Sequence, residues 1–160
     1  MSTAATGRTP AWKALLFFVV ITLVIGAVGG LLGGTAGFEE LNKPPFTPPK
    51  WVFPVVWTVL YLLMAWAAFR VWKANDIDGP RTLRLYFLQL LVNALWPFFF
   101  FRLSWRLFSF FWILLLILLV TLMLSSFRYI SKPAYAATLP YLLWLLYAAY
   151  LNLGFYLLNL

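Results

Sequence analysis

Five stretches of this chain carry no charged side chain: residues 14–38, 51–69, 85–101, 107–127 and 133–160. A helix needs roughly 17–25 mostly apolar residues to cross the hydrocarbon core of a bilayer. Each stretch meets that length. The third is the shortest, and its flanking residues Arg84 and Arg102 can carry their charges outward along their own apolar stems. A membrane barrel would instead show short alternating segments. The expectation is an all-α membrane protein forming one domain over residues 1–160. Its five-transmembrane-helix bundle should have spans near 12–34, 50–73, 81–102, 105–127 and 133–158. The first stretch is longer than the core of a cleaved leader and four more follow, so it reads as a retained span. Ser131-Lys132-Pro133 has the form of a helix start, and Pro48-Pro49 precede the second span in the same sense. Pro97 and Pro140 fall inside the third and fifth spans, where each removes a backbone donor and is expected to kink the helix.

The chemistry open to such a chain is narrow. Hydrophobic residues make up 64% and charged ones 10%, against about 25% charged in a soluble domain. Cys and His are both absent and the acids are Glu39, Glu40, Asp76 and Asp78. There is thus no disulfide framework, no thiolate or imidazole metal site and no conventional nucleophile–base pair. The net charge of +8 does not point to nucleic acid, because the Lys and Arg residues punctuate apolar runs instead of forming a stripe. The spans hold no charge well inside them, which argues against proton- or ion-coupled pumping and leaves a passive carrier open.

The basic residues set an orientation. Eight (Arg8, Lys13, Arg70, Lys73, Arg81, Arg84, Arg128, Lys132) lie at the N-terminus and in the second and fourth loops. Four (Lys43, Lys50, Arg102, Arg106) lie in the first and third loops. The positive-inside rule places the N-terminus in the cytoplasm of a multi-pass protein, here expected in a bacterial cell membrane, and the C-terminus outside. Trp12, Trp72, Trp105 and Tyr129 fall near span ends and read as interfacial belts.

Helical spacing sorts the remaining polar and aromatic groups onto faces. Trp57, Tyr61, Met64 and Ala68 share one face of the second span; Gln89, Asn93, Trp96 and Pro97 share one of the third. Trp144, Ala148, Leu151 and Phe155 share one of the fifth, with Asn152 at its edge. The fourth span has no such stripe and reads as a lipid-facing wall. Trp57, Trp96 and Asn152 then sit at similar depth below the outer surface, with Trp144 deeper. An apolar pocket with few polar groups suits a flat hydrophobic ligand. Simple aromatic packing accounts for the same pattern, and Gln89, Asn93 and Asn152 serve equally as helix–helix hydrogen bonds. The four prolines of the first loop stiffen it, as a lid or as a plain connector. Gly26, Gly29, Gly30, Gly33 and Gly34 form overlapping Gly-xxx-Gly pairs, which suit a dimer contact, internal packing or helix termination.

The run Asn42-Lys43-Pro44-Pro45-Phe46-Thr47-Pro48-Pro49-Lys50-Trp51-Val52-Phe53-Pro54-Val55-Val56-Trp57-Thr58-Val59-Leu60-Tyr61 closely resembles the signature of the TspO/MBR family, the tryptophan-rich sensory proteins and translocator proteins. Gln89 to Phe101 is similar to the family's third-helix motif, and Leu139 to Trp144 with Leu151-Asn152 to its fifth. The resemblance runs in order from about residue 12 onward. It implies a five-helix bundle, often a homodimer, acting as a receptor or sensor for porphyrins and similar flat ligands, with no required cofactor. Light- and oxygen-dependent porphyrin breakdown and passive tetrapyrrole or lipid transport are the alternatives it implies. By motif position and shared face, the ligand-binding set is Trp57, Tyr61, Asn93, Trp96, Trp144, Ala148 and Asn152. Lys43, Pro45, Phe46, Lys50 and Trp51 form the lid and rim, and Trp57 and Trp144 are the candidates for any photo-oxidative role. With no His or Cys to ligate iron, metal-free protoporphyrin is expected to bind at least as well as haem. Two departures stand out. No basic residue follows Tyr156, as the animal sterol motif requires, and Pro45 and Phe46 occupy loop positions where some members have tryptophan.

Overall fold

The structure, a computed structural model, describes residues 9–34 and 37–160. Five long helices account for most of it: α1 (Ala11–Gly33), α2 (Val52–Ala74), α3 (Gly79–Pro97), α4 (Arg106–Ile130) and α5 (Lys132–Leu158). All five are long and apolar enough to cross a membrane. Their boundaries follow local chemistry. Gly34, at φ 66°, ends α1, and Asn75, at φ 54°, ends α2 in the left-handed conformation that asparagine tolerates. The Ser131 hydroxyl accepts from the Ala134 amide at 3.4 Å and caps α5, with Pro133 in the first turn. Pro97 lacks the amide that would continue α3. The chain widens there into a π-turn (Phe98–Arg102), closed by Leu103 N–H donating to the Phe98 carbonyl at 3.0 Å.

The helices close a ring in the order α1, α2, α5, α4, α3. In lipid, helices associate through close packing and polar contacts, since the hydrophobic effect offers no gain between them. Both devices are visible. A methyl group added at Gly29 would come within 2.7 Å of the Ala94 carbonyl, and one at Gly33 within 2.4 Å of Pro97. At Gly26 it would meet the Tyr61 ring. These three glycines therefore serve packing of α1 onto α3 and α2. Polar pairs run down one face of α3 at positions 86, 89 and 93. Tyr86 bonds Thr22 of α1, Gln89 accepts from Tyr141 of α5 at 2.9 Å, and Asn93 donates to Tyr61 of α2 at 3.3 Å.

One expectation needs correcting. α4 is not merely a wall against lipid. Its residues Ser109, Ile113, Leu116, Val120, Met123, Leu124 and Phe127 are buried on a single face against the bundle, while Phe111, Leu115, Leu118 and Leu122 are exposed. The Trp112 indole also donates to the Val92 carbonyl of α3 at 2.7 Å. Exposed leucine, valine and phenylalanine cover the outer faces of the helices, so the bilayer is the protein's solvent there.

Candidate functional site

A cavity of about 720 Å³ opens at the end of the bundle that carries the α1–α2 loop and the C-terminus. This size lies within the range of small-molecule sites, roughly 300–1,000 Å³. Its walls come from four helices and the loop. α1 contributes Gly30 and Gly34; α2 contributes Phe53, Pro54 and Trp57. Trp96, Pro97, Phe100 and Phe101 come from α3 and the π-turn, and Ala148, Leu151, Asn152 and Phe155 from α5. Phe38, Lys50 and Trp51 complete the lining at the loop, and Lys50 is its one charged member among the described residues.

The sequence-derived residues distribute unevenly around this space. Trp57, Trp96, Ala148, Asn152, Lys50 and Trp51 line it. Tyr61 and Asn93 do not; they bond each other, with Tyr61 stacked against Trp57 at 5.4 Å between ring centres. Trp144 also lies outside the lining. Its ring meets Trp57 edge-on at 6.5 Å and Phe53 at 6.1 Å, so it fixes the wall from behind. Phe38, Phe53, Pro54, Phe100 and Phe101 line the cavity without having been singled out from spacing, and Gly30 and Gly34, noted for their Gly-xxx-Gly spacing, were not assigned to a pocket. The glycines gave a signal of small size but not of direction: nothing lies within 4 Å of a methyl group added at Gly30 or Gly34. The phenylalanines were hidden among many others.

The amides act between helices. Asn152 Oδ1 accepts from the Trp96 indole N–H at 3.0 Å, and Asn152 Nδ2 donates to the Arg106 carbonyl at 2.7 Å. One side chain of α5 thereby ties α3 to the start of α4 and sets the Trp96 ring plane, which stacks on Phe100 at 5.1 Å. Ring edges at the mouth interlock similarly, with buried Phe38 against Phe53, Phe101 and Phe155.

The first loop is strapped to α5. The Tyr147 hydroxyl donates to the Phe46 carbonyl at 2.6 Å and Tyr150 to the Pro45 carbonyl at 3.0 Å. Asn42 and Asn159 bond reciprocally, at 2.9 and 3.0 Å, and Pro44 seats against Gly154. The Phe46 side chain is 87% exposed, so Pro45 and Phe46 are held by their carbonyls and do not reach the cavity. Lys43 is outside the lining too. Its ammonium bonds Glu39 at 2.8 Å and lies over the Phe38 ring. Lys50 reaches the other oxygen of Glu39 at 3.4 Å. The hydrogen bond from Lys43, reinforced by its charge, holds the Glu39 carboxyl below its ordinary value of 4.5.

Among the described residues no cluster of three or more His, Cys, Asp or Glu could hold a metal ion. The site offers indole and phenyl faces, one tied amide and one cation at the rim. That chemistry suits reversible capture of a flat apolar molecule with an anionic edge.

Comparison with known proteins gives one family. The TspO/MBR family matches residues 18–157. The tryptophan-rich protein TspO of Chlorobaculum tepidum is 36% identical over 119 residues, covering 72% of this chain and 74% of that protein. The tryptophan-rich sensory protein of Cereibacter sphaeroides is 33% identical over 88% of both chains. The translocator protein of Ovis aries is 31% identical over 89% of this chain and 88% of its own.

Proposed function

The chain belongs to the TspO/MBR family, and from that premise we propose that it is a membrane receptor or sensor that takes porphyrins into the cavity between α1, α2, α3 and α5. One observation carries the reading: Trp57 and Trp96 present aromatic surface to a single cavity whose rim holds Lys50. The ring system lies against the indoles, where large apolar area is buried. Its propionates point to the mouth and pair with Lys50. Tyr61, Asn93 and Trp144 support the Trp57 wall from outside the lining. The same reading puts the N-terminus in the cytoplasm and the cavity mouth on the outer face of a bacterial cell membrane. It pairs two copies of the chain as a homodimer through a face other than that of Gly26, Gly29 and Gly33, which are occupied internally.

The test is titration of tryptophan fluorescence with metal-free protoporphyrin in non-ionic detergent. Saturable quenching is expected for the wild type, with affinity at least about tenfold weaker in Trp57→Ala, a loss of roughly 1.4 kcal/mol. Asn93→Ala acts only through Tyr61 and should weaken binding less. Quenching that never saturates, or that is unchanged by Trp57→Ala, sinks the reading.

A second reading, light- and oxygen-dependent breakdown of the bound ring, is favoured by the aromatic series running outward from the cavity. Trp57 meets Trp144, Trp144 lies 5.4 Å from Tyr147, and Tyr147 stacks on Tyr150 at 6.4 Å. The porphyrin would supply the reactivity and Trp57 and Trp144 the oxidisable indoles. Under illumination, ring absorbance should fall faster with the wild type than with a Trp57→Phe, Trp144→Phe double variant. Equal rates remove this reading and leave the receptor standing.

A further inference from the structure

Glu39 is positioned where it competes with the guest. Each of its carboxylate oxygens faces a different lysine, Lys43 at 2.8 Å and Lys50 at 3.4 Å. Its neighbour Phe38 is buried among the rings at the mouth, which anchors the backbone beside it. The two lysines are not equivalent. Lys43 makes the shorter bond, also rests over the Phe38 ring at 5.3 Å and lies outside the cavity lining. Lys50 makes the longer contact and is the lining cation. The looser partner is thus the one a guest would meet.

We propose that Glu39 is a built-in stand-in for a ligand carboxylate. It neutralises Lys50 while the cavity is free, and a carboxylate-bearing guest displaces it from Lys50 while Lys43 retains it. The proposal rests on the receptor reading and adds the group that sets preference between carboxylate and neutral ligands. Without Glu39 a guest carboxylate would meet an uncompensated ammonium at Lys50, with a second at Lys43 outside the lining. With it, the three groups together carry a single positive charge. Glu39 therefore lowers affinity for anionic flat molecules and leaves affinity for neutral ones alone. The cavity holds on to its preference for an anionic edge only as far as the guest carboxylate outcompetes Glu39 for Lys50.

The experiment compares protoporphyrin with its dimethyl ester, by fluorescence quenching, in four forms of the full chain. Glu39→Gln should bind the free acid about two- to fivefold more tightly, the range of an exposed ion pair, with ester affinity unchanged. Lys50→Met should erase the preference for the free acid. Glu40→Gln makes the same change in net charge one residue away, at a carboxylate with no ion pair among the described residues, and should leave the ratio as in the wild type. Thermal melting of each variant checks that the loop substitutions leave the fold intact. A ratio unmoved by Glu39→Gln, or moved equally by Glu40→Gln, overturns the proposal while both porphyrins still quench. Failure of both porphyrins to quench the wild type overturns the receptor reading and this proposal with it.

Discussion

Asn152 illustrates how a buried polar side chain in a membrane interior is satisfied by neighbouring helices. Its acceptor takes the Trp96 indole and its donor meets the Arg106 carbonyl, so both ends of the amide are committed to neighbouring elements. The Arg106 carbonyl also accepts from Ser109, which leaves the indole as the partner that loses most if the amide is removed. Interhelical hydrogen bonds in membranes are worth about 0.6 kcal/mol on average and up to about 1.7 kcal/mol. Asn152→Leu should therefore lower stability by about 1–2 kcal/mol, read as a reduced melting temperature in detergent, and should free the Trp96 ring to rotate. A changed Trp96 emission maximum checks the second effect. Glu39 gives the opposite case, an exposed side chain whose effect is electrostatic. Its carboxyl is held below 4.5, so its ion pairs are fully present above that ordinary value and are lost only as pH falls through the lowered one. The difference in free-acid affinity between wild type and Glu39→Gln should stay constant across neutral and mildly acidic pH. It should close only in acid, where the guest's own carboxylates, lacking such lysine bonds in water, protonate first and Glu39, held lower, follows. A difference that closes near neutrality would show that another group controls it.

At the scale of the helix, α1 separates two uses of glycine within one turn. Gly29 faces α3, where a methyl group would strike the backbone of Ala94 at 2.7 Å, and backbone cannot step aside as a flexible side chain can. Gly30 faces the cavity and has open space. Gly29→Ala should thus cost about 1–3 kcal/mol through overpacking, seen as a lower melting temperature. Gly30→Leu should fold normally and fill part of the cavity, seen as weaker porphyrin quenching. The reverse pattern would mean that α1 is rotated from the position described. This division explains what could and could not be read from the residue order. The spans were legible because charge is absent over whole helices: 12–34 was expected and Ala11–Gly33 is found, and 133–158 stands against Lys132–Leu158. The direction of each glycine was not legible, because glycines at 26, 29, 30, 33 and 34 are spread around the helix and present no contrast between faces. The inner face of α4 was hidden for a related reason: in lipid, the outside of a helix is as apolar as the inside, so leucine marks neither. Trp57, Trp96 and Asn152 could be grouped because indole and amide side chains, unlike leucine and phenylalanine, are sparse enough in the spans to show a face. The path of the first loop depends on carbonyl groups of Pro45 and Phe46, and backbone acceptors leave no trace in residue identity.

Across the whole molecule, the asymmetry that matters is between the two ends of the bundle. One end holds the cavity mouth, the strapped loop and the Glu39–Lys43–Lys50 trio. The other holds the α2–α3 and α4–α5 connections with Arg70, Lys73, Arg81, Arg84, Arg128 and Lys132. Basic residues resist translocation, so the second end should face the cytoplasm, and the cavity should draw its guest from the opposite side or the outer leaflet. The chain has no cysteine, which makes this directly measurable with single introduced thiols. Ile77, in the α2–α3 connection, is 94% exposed, and Phe46, in the strapped loop, is 87% exposed. Neither side chain makes a packing contact whose loss would disturb the bundle. In intact cells a membrane-impermeant maleimide should label Phe46→Cys and spare Ile77→Cys, which reacts only after the membrane is opened. The converse labelling would turn the molecule over, place the cavity mouth on the cytoplasmic face, and require the guest to come from within the cell.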